Sequence, residues 1–293
     1  MIMRELCFIG GDKRQIRVIN NMAKFCPHIK IYGFDKAEEE LSENVTLCDS
    51  LREAIENAEA VILPLPYTKG REMINAPFSA EEIHTGDVLR NMNEGQLLLL
   101  GKADEGINAI ASLCKIKSID YLEREELAIL NAIPTAEGAI EIAMRETPYA
   151  LSLSQCLILG NGKIGKVLSK MLSGLGAKVT VCVRKYKDKA YCKSMGIDSI
   201  FFSELGDRIG EYDVIFNTAP ALVIGYRMLQ KIRKESLIID LASKPGGVDF
   251  ETAEQMGKKV IWALSLPGEV APETAGDFIS ETLINIMEEM GAV

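Results

Sequence analysis

The sequence predicts an α/β protein made of two Rossmann-like parallel-sheet domains joined by a bridging helix. Three observations predict it. Short apolar runs alternate with segments of helical periodicity along the chain, and runs that are apolar throughout suit strands buried on both faces of a helix-covered parallel sheet. The pattern pauses around Pro134 and restarts after Pro148. A length of 293 residues also suits two domains better than one. The expected boundaries are 1–133 for the first domain, with a C-terminal helix at 272–293 added to it, and 134–271 for the second.

In the first half, ELCFIG (5–10) reads as a strand closed by Gly10-Gly11. DKRQIRVINNMAKF (12–25) follows with Ile16, Ile19, Met22 and Ala23 at helical spacing. IKIYGF (29–34), AVILPLP (60–66) and QLLLLG (96–101) are further strands, and SLREAIENA (50–58) and EGINAIASLC (105–114) are helices. The stretch 69–96, with Arg71 and His84, reads as loop material of uncertain role. Pro134 lacks an N–H and crowds the turn before it, so it is expected to end one helix, with Thr135 capping the next. That next helix carries Ala139, Ile142 and Ala143 on one face and is the expected bridge.

The second half repeats the alternation: QCLILG, KVTVCVR, SIFF, DVIFNTAP, SLIIDLAS and KVIWAL are strands, with helical patterns between most of them. A last helix, AGDFISETLINIMEEM (275–290), presents Phe278, Leu283, Ile286 and Met287. This apolar face is expected to meet the first domain or a second copy in an oligomer.

Composition narrows the function. Against 33 basic residues stand 42 acidic ones, a net charge of -9 that repels a nucleic-acid backbone, and no basic run offsets it. No apolar run approaches the ~20 residues that span a bilayer, so a cytoplasmic protein that meets no membrane is expected. Seven scattered cysteines without a C-x-x-C pair, and two histidines, support neither a metal site nor a disulfide framework. Cys7, Cys156 and Cys182 fall in strands and read as core residues.

Gly160-Asn161-Gly162-Lys163-Ile164-Gly165 fits G-x-G-x-x-G, and its setting between a strand and a helix makes it a dinucleotide fingerprint. Gly160 makes the tight turn, Gly162 lets the backbone approach a pyrophosphate, and Gly165 lets helix and strand pack closely. About 20 residues on, where an NAD site carries an acid for the ribose 2′-hydroxyl, stand Arg184 and Lys185. Cations there suit a 2′-phosphate, so NADP(H) is the expected cofactor. Ligands of open α/β sheets lie at the carboxyl ends of strands, which adds Asn217, Thr218, Ala219 and Pro220 from one strand end and Leu241, Ala242 and Ser243 from another.

IGGDKRQ (9–15), VILPLP (61–66), NAIPTAEGAIEIAM (131–144), LGNGKIGK (159–166), FNTAP (216–220), DLASKPGGVDF (240–250) and LPGEVAPETAG (266–276), in this order, are similar to the A subunits of dipicolinate synthase. The resemblance runs over nearly the whole chain. It implies a fold like the two-domain hydroxyacid and alanine dehydrogenases. It also implies oxidation of dihydrodipicolinate to dipicolinate with NADP, in the mother cell during sporulation. The partner it implies is a flavoprotein-like B subunit; any flavin is expected on that partner rather than on this chain.

Such an oxidation removes a hydride and a proton from the ring, and the two ring carboxylates of this small substrate need cations or helix N-termini. Substrate-binding candidates are Arg14, as a bidentate carboxylate clamp beside the Gly10-Gly11 turn, with Thr135 and Ser243. Glu137, Lys244 and Asp12 are the catalytic candidates, Glu137 as a carboxylate whose burial fits it to take the proton. Two alternatives stand beside this reading: another NADP-dependent amino- or hydroxy-acid dehydrogenase, and a non-catalytic chain that senses NADP without turning anything over.

Overall fold

The structure, a computed structural model, describes residues 3–70 and 72–291. Arg71 therefore lies outside the described residues. The chain divides into two compact units: Met1–Leu130 with Ala271–Val293, and Asn131–Val270.

The first unit is a parallel six-stranded sheet of β1 (Glu5–Ile9), β2 (His28–Tyr32), β3 (Val45–Leu47), β4 (Ala60–Ile62), β5 (Leu97–Leu100) and β6 (Lys117–Asp120), in the order β3-β2-β1-β4-β5-β6. The central strand β1 shows why the run is apolar throughout. Leu6 and Phe8 enter a core with Ile19 and Leu283, while Cys7 and Ile9 enter another with Ile55 and Val88. The edge strands β3 and β6 were not foreseen. Their residues are half-buried or exposed, and VTL and KSID are correspondingly too short and too polar to stand out.

The helix Lys13–Met22 starts directly after the Gly10-Gly11 turn, where Gly10 and Gly11 take φ of +62° and +126°. The C-terminal helix Pro272–Glu289 packs on it within this unit. A Cβ on Gly276 would stand 2.8 Å from the Arg14 carbonyl oxygen, so only glycine lets the two helices approach there. Leu283, Ile286 and Met287 are buried as their spacing implies, with Ile279 beside them, whereas Phe278 is only half-buried.

The second unit repeats the architecture with β7 (Gln155–Leu159), β8 (Lys178–Val183), β9 (Asp198–Phe201), β10 (Val214–Asn217), β11 (Leu237–Asp240) and β12 (Lys259–Trp262). The order is β12-β11-β10-β7-β8-β9, so the strand order reverses between β7 and β10, as it does between β1 and β4 in the first unit. The helix Ala132–Glu146 packs on this sheet through Ala136, Ala139, Ile140 and Ala143.

Two expectations about this region fail. Pro134 does not end a helix: it is the third residue of Ala132–Glu146, within the first turn, where no N–H is needed for an intrahelical bond. Thr135 is consequently not a cap; its hydroxyl donates to the Asn131 carbonyl at 2.7 Å from inside the helix. The stretch Glu125–Glu146 is, by length and composition alone, long and apolar enough to cross a membrane. With 44% of its apolar window buried in protein, it passes the same test that core helices pass.

Candidate dinucleotide site and its surroundings

The glycine loop joins β7 to the helix Lys163–Gly174. Gly160 has φ of +106°, and a Cβ there would stand 2.7 Å from Thr218 Oγ1. A Cβ on Gly165 would stand 2.2 Å from the Gly160 carbonyl oxygen, so helix and strand end meet at a distance only hydrogen permits. Around Gly162, the helix N-cap, a Cβ would meet nothing within 4 Å. The loop thus spends two glycines on its own folding and leaves the third facing open space.

This arrangement fits a dinucleotide pyrophosphate: Gly162 lets it come close, and the helix N-terminus presents the positive end of its dipole. A further observation agrees. Both amide atoms of Asn161 are buried without a hydrogen-bond partner, so this side chain has unused donor and acceptor capacity inside the loop. Lys163 is exposed at the first helical position, and Ile164 packs against the core of the unit.

Three strand ends, those of β7, β8 and β10, meet at the loop. Gly160 N donates to the Cys182 carbonyl of β8 at 3.0 Å, while Thr218, after β10, binds Leu159 through both its N–H (3.0 Å) and its hydroxyl (2.8 Å). Arg184 and Lys185 follow β8 directly. Both are exposed, Lys185 is the N-cap of the helix Tyr186–Ser194, and the Arg184 guanidinium lies 5.2 Å from the centre of the Phe202 ring. Neither forms a salt bridge with the described residues. The cationic pair therefore stays available to an anion, and the aromatic contact holds Arg184 in place.

Asn217 does not take the role foreseen for its side chain. It is fully buried at the end of β10, donating to Asp240 Oδ1 at 2.8 Å and to the Ala219 carbonyl at 3.1 Å, and its Oδ1 accepts from Ala219 N. Asp240 in turn accepts from Ala242 N (3.1 Å) and Gly247 N (2.6 Å). The pair ties together the loops after β10 and β11, and both side chains are fully buried. Ala219, Leu241 and Ala242 are buried, so they can offer little but backbone; Pro220, Ser243 and Lys244 are exposed. Trp262 Nε1 braces this loop from β12 by donating to the Ala242 carbonyl at 2.9 Å.

Glu137 is exposed on the helix Ala132–Glu146, so the burial that its proton-accepting role called on is absent. Asp12 lies in the first unit and acts there as a helix cap, accepting from Arg14 N at 3.0 Å. Its carboxylate also takes Arg14 Nε (3.0 Å) and Nη2 (2.6 Å), and Nη2 donates as well to the Leu65 carbonyl. Asp12 is thus engaged in capping and pairing rather than poised as a base. Arg14, foreseen as a free clamp, is 8% exposed and has only Nη1 unengaged. Burial pushes the Cys156 and Cys182 thiols up to about 12, which leaves them inert core residues. Among the described residues, no three His, Cys, Asp or Glu side chains are grouped to hold a metal ion.

Two fused α/β units, one with a dinucleotide loop at its switch point, define the class of two-domain dehydrogenase-like proteins. L-alanine dehydrogenase shares this fold at a TM-score of 0.68 and 16% identity, covering 98% of this chain and 90% of that one. Residues 141–262 match the shikimate / quinate 5-dehydrogenase family, and residues 5–122 match the N-terminal domain of the dipicolinate synthase A subunits. The A subunit of dipicolinate synthase from Bacillus subtilis (strain 168) is 32% identical over 289 residues, 98% of this chain and 97% of that protein. The crystal structure of its counterpart from Bacillus halodurans has a TM-score of 0.91 at 30% identity and covers 98% of this chain and 99% of its own. The chain belongs to the family of dipicolinate synthase A subunits.

Proposed function

We propose that this chain oxidises dihydrodipicolinate to dipicolinate with NADP, working with a flavoprotein-like B subunit in the mother cell of a sporulating bacterium. Family membership supports the substrate. The observation that carries the cofactor reading is the Arg184-Lys185 pair at the end of β8, exposed and free of acidic partners beside the Gly160–Gly165 loop. A 2′-phosphate would find two cations there.

NADP, when bound, supplies the hydride acceptor. The chain's own residues hold and orient: the glycine loop and Asn161 for the pyrophosphate, Arg184 and Lys185 for the 2′-phosphate, and the braced Ser243-Lys244 loop beside them. Aromatisation favours loss of the ring proton, so an exposed carboxylate such as Glu137, or water, suffices to take it. The exposure of Glu137 and the engagement of Asp12 favour a second reading, in which this chain senses NADP and its partner performs the redox step.

An assay with dihydrodipicolinate generated in situ tests the first reading. Formation of dipicolinate and NADPH by this chain with the B subunit is expected, and no product in any combination overturns the first reading. Replacing both cations, Arg184→Ala with Lys185→Ala, is expected to weaken NADP(H) relative to NAD(H) by about tenfold or more, the loss of at least one charge-assisted pair. An unchanged ratio of the two dissociation constants overturns the cofactor reading.

A further inference from the structure

The first unit holds two side-chain amides that its own folding does not use. Gln15 is 2% exposed and Asn75 3% exposed. Gln15 Nε2 and Asn75 Oδ1 are both buried without a hydrogen-bond partner. Each would cost about 1–3 kcal/mol if left unsatisfied, so two beside one turn call for an explanation.

They flank the same turn. Gln15, in the first turn of the helix Lys13–Met22, folds back over Gly11, its amide carbon 3.3 Å from where a Cβ on Gly11 would stand. From the other side the Asn75 backbone comes within 3.2 Å of the corresponding position on Gly10. Asn75 is set in place by its N–H, which donates to the Tyr67 carbonyl at 2.8 Å, while Tyr67 N donates to the Gly101 carbonyl and its hydroxyl binds Asp104. The turn lies at the carboxyl end of β1, where the sheet order reverses against β4. Here the Gly11, Asp12 and Lys13 N–H groups come before Arg14 N, the one the Asp12 cap takes. The Asp12 charge that would repel an anion is paired with Arg14.

We propose that Gln15 and Asn75 form a binding site for a small carboxylate-bearing molecule. Its carboxylate accepts from Gln15 Nε2 and from the N-terminus of the Lys13–Met22 helix, and a hydrogen-bond donor of the same molecule meets Asn75 Oδ1. The probe is piperidine-2,6-dicarboxylate, whose carboxylates accept and whose ring ammonium donates, so the site does not rest on the proposed reaction.

The test titrates the full chain with that diacid by calorimetry, beside Gln15→Met and Asn75→Leu, which keep volume and remove hydrogen bonding. Each variant is expected to bind at least tenfold more weakly while its melting temperature stays the same or rises, because a polar group left unpaired in the free protein is gone. A structural role predicts a lowered melting temperature, and that outcome overturns the proposal. A second measurement needs no variant fold: the side-chain NH2 resonances of Gln15 and Asn75 are expected to move when the diacid is added to the wild type. Wild-type binding with unaffected variants and unmoved resonances overturns this site and leaves the proposed reaction standing. Absence of wild-type binding overturns this site and leaves the proposed reaction to its own assay.

Discussion

Gly165 and Gly162 belong to one loop yet respond differently to an added methyl group. Gly165→Ala must push a Cβ into the Gly160 carbonyl, 2.2 Å away, and is expected to lower the stability of the second unit by about 1–3 kcal/mol. Gly162→Ala meets open space, so urea unfolding should change by no more than about 1 kcal/mol, the usual cost of alanine at a helix cap, while NADP(H) binding weakens. Equal dinucleotide affinity in the Gly162 variant would remove that glycine from the site. Asn217→Leu is a different case, because it strips Asp240 of a buried donor and leaves the carboxylate in place; a loss of about 2–4 kcal/mol is expected by the same unfolding measurement. The glycine spacing was legible in the sequence because the steric demand of a turn acts between near neighbours. The Asn217–Asp240 tie was not, since strand register alone joins residues 23 apart. Asn75 escaped notice for a similar reason: an asparagine in a long connection reads as solvated until the fold buries it among Ile74, Ala76 and the Gly10 turn.

At the scale of elements, apolar runs marked the central strands and left the edges invisible. β1, β7 and β10 are buried on both sides and are apolar except for Glu5, Gln155 and Asn217 at their ends, whereas β3 and β6 have one open flank and carry polar residues. Pro134 misled because its rule applies to helix interiors and its position is the first turn. The pairing of the first and last helices of the first unit has an electrostatic share as well as an apolar one. Asp277 accepts from Arg17 Nε at 2.6 Å and from Asn21 at 2.7 Å, and the Arg17 hydrogen bond holds its carboxyl below the usual range. A lowered folded-state value means that this contribution is present above the unfolded value of about 3.9 and is lost as pH falls through the folded one. Both groups are about two-fifths exposed, so solvent screening limits the effect. Asp277→Asn is therefore expected to destabilise by about 0.5–1 kcal/mol at neutral pH. In unfolding curves taken from pH 7 downward, the gap to the wild type should close below pH 4. A gap that stays constant across the series would show that charge plays no part.

On the scale of the whole chain, the first unit is discontinuous in sequence: residues from both ends build it around the continuous unit Asn131–Val270. The C-terminal helix contributes Ile279, Leu283, Ile286 and Met287 to its core, each no more than 1% exposed, in the same cluster as Ile16, Ile19 and Met22. At about 1.5–3 kcal/mol for each buried side chain, losing them would remove as much free energy as a whole domain usually has in reserve. Truncating the chain after Val270 should therefore unfold the first unit and spare the second. Under limited proteolysis of the truncated chain, residues 1–130 are expected to be degraded. A resistant fragment spanning Asn131–Val270 should persist and retain dinucleotide binding, because the glycine loop, Arg184 and Lys185 all lie within it. Recovery of a folded 1–130 fragment would mean that the last helix covers a core already complete without it.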